Sequence, residues 1–260
     1  MSRIHDPTNN HLLAALDTEA QERLLPRLQL IDMVLGAVLY EPGDAPRHVY
    51  FPIDCIVSLL YALSDGSSAE IAMVGNEGLV GIAIFMGGET ASSRAVVQSA
   101  GLAFRLEGQR LKDEFHRNGA LSDLFLRYTQ ALITQMAQTA VCNRHHSVDQ
   151  QLCRWLLMSL DRLSSNQLTM TQGLIANMLG VRREGVTEAA GKLQRLGVIH
   201  YQRGHITVID RPKLQALCCE CYAVVKKETD RLLPFEQREA GTAAGQSRTP
   251  VNRVSGSSDL

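Results

Sequence analysis

The segment at residues 180–198, GVRREGVTEAAGKLQRLGV, carries side chains whose types and spacing suit the recognition of DNA bases. Its apolar residues repeat at helical spacing, which leaves a polar and partly basic face on the other side of the predicted helix. That face presents these side chains: Arg182, Arg183, Glu184, Thr187, Glu188 and Arg195. An arginine can form two hydrogen bonds with a guanine edge, and a glutamate can accept one from a cytosine amine. The pattern therefore has two interpretations, a solvated surface or a helix that enters the major groove.

The residues around this segment have the pattern of a helix-turn-helix followed by a hairpin. The glycine that opens the segment permits a sharp reversal between the two helices. Thr171 and Gln172, at the start of the first helix, and Arg195 are placed to contact phosphates, which orient a protein on DNA. Two β-rich runs around Arg203-Gly204 predict a wing over the DNA backbone. The apolar residues predicted to pack the two helices together are Leu174, Ile175, Met178, Leu179, Val186, Ala189, Ala190 and Leu193.

Charge is divided unevenly along the 260 residues, although the net charge is only -1. Residues 1–143 hold 10 lysines and arginines against 16 aspartates and glutamates, whereas residues 144–231 hold 13 against 8. An acidic front and a basic back predict two domains with different partners, and the basic one favours a polyanion.

Composition and cysteine usage are typical of a globular protein with reduced thiols. No apolar run approaches the ~20 residues that cross a bilayer, and the N-terminal residues lack the apolar core of a signal peptide. The six cysteines are irregularly spaced, unlike those of a secreted disulfide framework. The chain is therefore predicted to be cytoplasmic.

Changes in periodicity divide the chain into predicted domains. Residues 8–106 begin with short helices and continue as short β-rich runs with frequent turn signals, which predicts an antiparallel sandwich or barrel. Residues 107–143 contain a long helix, and residues 144–232 hold further helices and the winged segment. Residues 233–260 are predicted to be a disordered tail. The predicted fold class is α+β.

The long helix carries one apolar stripe with steps of three and four residues. Its members are Leu121, Phe125, Tyr128, Leu132 and Met136. Such a stripe can pair with its copy in a second subunit or can pack on the β-rich domain. We predict that it forms a homodimer, and packing within the chain is the open alternative.

The piece LTMTQGLIANMLGVRREGVTEAAGKLQRLGVIHYQRGHITVID, at residues 168–210, resembles the reader domain of the Crp/Fnr transcription regulators. The LYEPGD turn at residues 39–44 and the domain order are similar as well. The resemblance implies an N-terminal β-roll of the cyclic-nucleotide-binding type, a long dimerisation helix and a C-terminal winged helix-turn-helix. It also implies two-fold symmetric double-stranded DNA as a partner, with RNA polymerase as a further candidate. It places Arg183 and Glu184 on the family's base-reading pair, whereas Glu188 replaces a second reading arginine and predicts a different operator.

The resemblance raises the question of a cyclic-nucleotide effector. The family's binders place a glutamate after a glycine, and an arginine followed by Ser or Thr at the cyclic phosphate, since a buried anion needs a cation and donors. Here Ile82 follows Gly81, and the order is inverted to Ser93-Arg94. A shift of one residue in a strand sends a side chain to the opposite face. Ser93 and Arg94 are the candidate effector-binding residues if the strand slips or bulges; otherwise the barrel senses a different ligand or none. No cofactor is predicted, and a cyclic nucleotide is the open alternative.

The cysteine-rich motif CCEC lies in the last predicted helix, at residues 210–232. Two thiolates at positions i and i+3 could share a metal, but the chain has no CxxC partner elsewhere. The resemblance implies N-terminal cysteines for family members with an iron–sulfur cluster, and this chain has none before Cys55. We therefore predict no metal and expect buried apolar thiols at Cys218, Cys219 and Cys221. His145-His146 is expected to be a solvated linker at the hinge between the two predicted domains, with a pH-sensing or metal-binding role as the alternative.

Two other classes of function stay as alternatives. A cupin-like metalloenzyme needs two or three histidines and a carboxylate inside the barrel, whereas residues 34–104 hold only His48. No GxSxG, P-loop or GxGxxG motif is present, so no enzyme activity and no catalytic residue is predicted. The basic half could instead bind a protein or RNA, which salt dependence and competition by duplex DNA would distinguish.

Overall fold

The computed structural model describes residues 6–64, 66–117, 119–233 and 235. Most of the predicted tail, residues 236–260, lies outside the described residues. Leu233 is buried, and the Phe235 ring lies 4.9 Å from the ring of His11. The prediction of a disordered tail is wrong for Leu233 and Phe235, because both side chains pack against the core of the N-terminal domain.

The front of the chain forms short helices followed by antiparallel strands. These elements are the helices α1 His11–Ala14 and α2 Thr18–Leu24 and the strands β1 Gln29–Met33, β2 Val38–Tyr40, β3 His48–Pro52, β4 Ile56–Ala62, β5 Ser68–Val74, β6 Arg94–Ser99 and β7 Gly101–Glu107. The strands form two sheets, with the orders β1-β7-β3 and β2-β6-β4-β5, and every pairing is antiparallel. This arrangement is the predicted antiparallel β-roll.

The strand β4 shows how the roll is filled and covered. Its side chains alternate in direction, as they do in any strand. Val57 and Leu59 face the core of the roll, whereas Ile56 and Leu60 face a second core that is shared with the C-terminal part of the chain. The outer face of the sheet β2-β6-β4-β5 is therefore covered by protein rather than by water.

The chain continues as α3 Gly108–Phe115 and the long helix α4 Ala120–His145. The stripe that was predicted to join two subunits lies on the side of α4 that packs on the β-roll. Its members are buried or partly buried in the core of the roll: Leu121, Phe125, Tyr128, Leu132 and Met136. The Tyr128 hydroxyl donates to the backbone oxygen of Leu79 at 2.8 Å. The prediction that these residues form the dimer contact is wrong, because they are already packed within their own chain.

A second apolar stripe on α4 faces solvent. Leu126 is 48% exposed and Ile133 is 50% exposed, and Ala137 and Ala140 are exposed as well. With Gln130 between the first two, the spacing alternates between four and three residues, as in the seam of a coiled coil. The helix thus has one face for its own roll and another that the single chain leaves uncovered.

The C-terminal part consists of helices and one small sheet. Its elements are α5 Val148–Leu160, β8 Gln167–Thr169, α6 Gln172–Leu179, α7 Arg183–Arg195, β9 Ile199–Gln202, β10 His205–Val208, α8 Arg211–Leu217 and α9 Glu220–Leu232. The sheet has the order β8-β10-β9 and is antiparallel. The single helix predicted for residues 210–232 is wrong, because Cys218 and Cys219 have extended backbones that separate α8 from α9. The overall class is α+β, as predicted.

The winged-helix domain, residues 148–217, is docked on the outer face of the β-roll. Trp155 of α5 is buried in the second core, together with Leu60 of the roll. The Arg162 guanidinium forms an ion pair of 2.7 Å with Glu77, and both side chains are mostly buried. Among the described helices, none has the length and apolar character that a membrane span requires.

Candidate nucleic-acid interface

The first helix of the pair, α6, has an N-terminal cap and a C-terminal glycine that fix its two ends. The Thr171 side chain accepts a hydrogen bond from the backbone nitrogen of Leu174 at 3.3 Å and so caps the helix. Gly180 ends it in the left-handed conformation, with φ of 65°, which favours glycine. The prediction that Leu174 packs between the helices is wrong, since 42% of it is exposed; the adjacent Ala176 is buried instead.

The second helix, α7, buries the side that the sequence predicts. Val186, Ala189, Ala190 and Leu193 are all at most 3% exposed. The helix packs against α5 and α6, and Lys192 forms an ion pair with Asp149 of α5. These contacts hold the orientation of α7 and leave its polar face outward. The exposed side chains of that face are Arg182, Arg183, Glu184, Thr187, Glu188 and Arg195.

The start of α7, the start of α6 and the wing together form one concave surface, which we call the reading cavity. It has a volume of about 430 Å³ and is lined by Thr171, Gln172, Gly173, Arg183, Tyr201, Arg203 and Gly204. Thr187 lies at its edge, with its hydroxyl oxygen 2.8 Å from Gln172 Oε1. Four of the predicted DNA-contacting residues therefore meet around a single surface that carries two arginines.

The wing is a tight hairpin between β9 and β10, as predicted. Arg203 and Gly204 both have positive φ, at 50° and 82°, and the flanking Gln202 and His205 are paired. This geometry matches the two-residue turns that join antiparallel strands. The Gly204 carbonyl accepts from the Met170 backbone nitrogen at 2.7 Å, which ties the wing to the start of α6. Arg203 is thereby exposed at the tip.

Not every predicted residue lies at the cavity. Arg195 ends α7, 12 residues after Arg183, and is therefore roughly 18 Å away along the helix axis. Sequence reasoning did not single out Tyr201, which lines the cavity and donates its hydroxyl to the Met170 backbone oxygen at 2.9 Å. Its place in β9, directly before the wing turn, is the signal that could have identified it.

The effector residues predicted in the β-roll do not form a cyclic-phosphate site. Arg94 forms an ion pair with Glu41 at 2.7 Å, and nearly half of each side chain is exposed. Ala95, the next residue, belongs to the core of the roll, so Arg94 lies on the opposite face of β6. Ser93 is buried, but it supplies no positive charge. The prediction that Arg94 contacts an effector inside the roll is therefore wrong, and the cassette positions do not fit a cyclic nucleotide.

Four potential metal ligands lie together where the end of α4 meets the start of α9. They are Cys142, His146, Cys219 and Cys221. Hydrogen bonds from the thiols of Cys142 and Cys218 hold the pKa of Cys219 well below its usual range. The expectation that His146 belongs to a solvated linker is wrong, since its side chain is only 15% exposed.

Comparison with known proteins agrees with this geometry. The family model for the cyclic nucleotide-binding domain matches residues 33–118, and that for the Crp-like helix-turn-helix domain matches residues 150–217. No curated protein sequence matches the chain.

Several solved structures share the fold at low sequence identity. FixK2 from Bradyrhizobium japonicum has a TM-score of 0.64 and 16% identity, covering 74% of this chain and 98% of that one. The c-di-GMP responsive global regulator CLP of Xanthomonas campestris has a TM-score of 0.56 and 18% identity, covering 74% and 99%. TTHA1359, a Crp/Fnr-family regulator from Thermus thermophilus, has a TM-score of 0.56 and 19% identity, covering 73% and 97%.

A winged helix-turn-helix with an outward second helix, carried on a β-roll, defines a DNA-binding transcription regulator. The two family matches fall on these same two parts of the chain. The chain therefore carries the two domains, in the same order, that support its being a Crp/Fnr-family regulator.

Proposed function

We propose that the chain acts as a homodimer that reads a two-fold symmetric DNA site with its two α7 helices. The uncovered stripe on α4, from Leu126 to Ala140, supports this pairing because its spacing is that of a helix–helix seam. A two-fold dimer presents two reading helices, which must lie about 34–36 Å apart to enter successive major grooves.

In this proposal the side chains of the reading surface divide into two roles. Arg183 and Glu184, in the first turn of α7, contact base edges, and Arg182, Thr187 and Glu188 flank them in the groove. The remaining predicted contacts, Thr171, Gln172, Arg195 and Arg203, bind phosphates and orient the domain. The single observation that carries the proposal is the outward polar face of α7 beside an exposed arginine wing.

We further propose that the β-roll regulates without the phosphate contact of cyclic-nucleotide binders. The support is the outward ion pair of Arg94 with Glu41 and the presence of Ile82 after Gly81. The docking of the roll on the winged-helix domain offers a route by which a change in the roll would reorient α7. RNA polymerase is the proposed protein partner of the DNA-bound dimer, in the cytoplasm.

The experiment that tests the proposal is selection of bound sequences from random duplex oligonucleotides by the purified full chain. We expect an enriched site with two inverted half-sites whose centres are one helical turn apart, about 10 base pairs, or a multiple of it. Sedimentation of the complex on that site should give two chains per duplex. A single asymmetric half-site, or no enrichment at low ionic strength, would contradict the proposal.

A further inference from the structure

The thiol cluster between α4 and α9 has the dimensions of a metal site. The ligand atoms of Cys142, His146, Cys219 and Cys221 all lie within 4.8 Å of one another. Cys142 Sγ is 3.6 Å from Cys219 Sγ, and Cys221 Sγ is 3.4 Å from His146 Nδ1. In a tetrahedral zinc site, bond lengths of about 2.3 Å to sulfur and 2.0–2.1 Å to nitrogen place neighbouring ligand atoms roughly 3.5–3.8 Å apart. The Cys142–Cys219 and Cys221–His146 separations are close to that spacing, and any pair near the 4.8 Å bound would have to close by about 1 Å on binding.

The surroundings of the four ligands resemble the outer shell of a metal site. The second ring nitrogen of His146, Nε2, lies 3.3 Å from a carboxylate oxygen of Glu220. A metal-bound histidine commonly donates its other ring N–H to a carboxylate, which fixes the ring and makes it a stronger ligand. Gln138 Nε2 lies 3.1 Å from Cys221 Sγ and can donate to that sulfur as a thiolate. The contact with Glu220 orients His146, and the contact with Gln138 orients Cys221.

The burial of the thiols and the adjacent helix end are features of a closed metal site. Cys142 and Cys221 are fully buried, and Cys219 is nearly so. Cys219 is the N-cap of the 13-residue helix α9, where the exposed backbone N–H groups favour negative charge. The hydrogen bond with Cys219 and burial raise the pKa of Cys142, against the opposing charge of the buried Arg154, so Cys142 loses its proton only as the metal binds.

We propose that Cys142, His146, Cys219 and Cys221 form a Cys₃His site for a thiophilic divalent cation of the zinc class. The three thiols lose their protons on binding, and neutral His146 binds through Nδ1. Three thiolates and one divalent cation leave one net negative charge, which Arg154 partly balances. The ion joins the end of α4 to the start of α9, next to Ser147, which caps α5. The proposal does not depend on DNA binding.

The test is metal binding by the full chain, prepared reduced and metal-free under anaerobic conditions. Titration with Zn²⁺, and with Co²⁺ as the spectroscopic probe, should give one ion per chain. The Co²⁺ form should show the intense visible bands of a tetrahedral site and thiolate charge-transfer bands. X-ray absorption of the Zn²⁺ form should fit three sulfur atoms and one nitrogen atom. Sub-stoichiometric binding, octahedral Co²⁺, or a Cys142–Cys219 disulfide in the anaerobic protein would overturn the proposal.

Variants assign the ligands. Cys219→Ser and His146→Ala should each weaken Zn²⁺ binding by about 100-fold or more. Glu220→Gln, which keeps all four ligands, should weaken it by about 10–100-fold. The control Cys55→Ser removes a buried thiol of the β-roll, whose sulfur contacts the Leu102 backbone oxygen, and should leave Zn²⁺ affinity unchanged. If a ligand variant fails to fold, the variant Glu220→Gln decides, because Glu220 is 72% exposed and its loss should not disturb the fold. An unchanged Zn²⁺ affinity in Glu220→Gln, or an equal loss of affinity in Cys55→Ser, counts against the site.

Discussion

Glu70 Oε2 lies 2.5 Å from the hydroxyl oxygen of Ser58 in the buried junction between the β-roll and the winged-helix domain. The same hydroxyl lies 2.6 Å from Gln98 Oε1. A hydroxyl has one proton, so it cannot donate to both oxygens. A protonated Glu70 resolves the conflict, because it donates to Ser58 while Ser58 donates to Gln98. Gln98 Nε2 in turn donates to the Ser159 hydroxyl of α5 at 3.4 Å, which links the two domains.

Burial of Glu70 makes the stability of this junction depend on pH. Burial raises the pKa of the carboxyl to about 7, against the opposing influence of Ser58, Arg154 and Arg162. The folded state therefore binds a proton more tightly than the unfolded state. The contribution of Glu70 to the free energy of unfolding is fully present below the pKa of the unfolded state, near 4.5. It is lost as the pH rises through the folded-state pKa of about 7. We expect the free energy of unfolding to fall by about 3 kcal/mol over that window because of this group.

The variant Glu70→Gln tests this dependence by urea unfolding between pH 4.5 and 8. It should match the parent chain at the acid end and exceed its stability above pH 7, because the amide never ionises. Glu22→Gln, which changes an exposed carboxyl of α2 in the same way, is the control. A difference between parent and Glu70→Gln that is constant with pH would refute the prediction.

Arg183 and Arg203 line the same cavity but should act differently on DNA. Arg183→Ala should weaken binding to the selected site by about 1–3 kcal/mol and relax the base preference at one position. Arg203→Ala should weaken selected and random duplexes alike and should reduce the salt slope by about one. Fluorescence anisotropy at several salt concentrations measures the affinity of each variant for the two duplexes and its salt dependence. Equal losses on the two duplexes for Arg183→Ala would show that it does not read a base.

Ile133 lies at the centre of the uncovered stripe on α4, and half of it is exposed. Ile133→Glu should convert the proposed dimer to a monomer, because it places two like charges in an apolar seam, and it should leave the fold of each chain intact. Analytical ultracentrifugation and circular dichroism check the two parts of this prediction. Ile209→Glu changes an equally apolar but more exposed residue outside α4, at 63% exposure, and should remain dimeric. A dimeric Ile133→Glu would place the interface elsewhere.

Arg94→Ala separates an effector role from a surface ion pair. The loss of the contact with Glu41 should lower stability by less than about 1 kcal/mol, since both partners are well exposed. Any response of DNA binding to added cyclic nucleotide should be the same in parent and variant. Thermal unfolding and DNA binding with and without cyclic AMP measure these two effects. If cyclic AMP changed DNA binding by the parent but not by Arg94→Ala, Arg94 would be an effector-binding residue after all.

Local signals in the sequence predicted much of the winged-helix domain. The left-handed Gly180, the buried Val186, Ala189, Ala190 and Leu193, and the Arg203-Gly204 turn all depend on neighbours within a few residues. Helical periodicity and turn geometry are properties of short segments, so one chain is enough to show them. The outward face of α7 follows directly from the burial of its opposite side.

Only the tertiary structure shows which helix faces are buried and which cysteines meet, because both depend on contacts between residues far apart in the sequence. Both stripes of α4 have suitable spacing, and only the docked β-roll shows that Leu121 and Phe125 are covered while Ile133 is not. Cys142 and Cys219 are 77 positions apart, and the sequence holds no regular spacing that pairs them. Their approach results from the packing of α9 on α4 and from the break before α9. Periodicity identifies which faces can be buried, but the partner that buries each face is chosen by the folded chain as a whole.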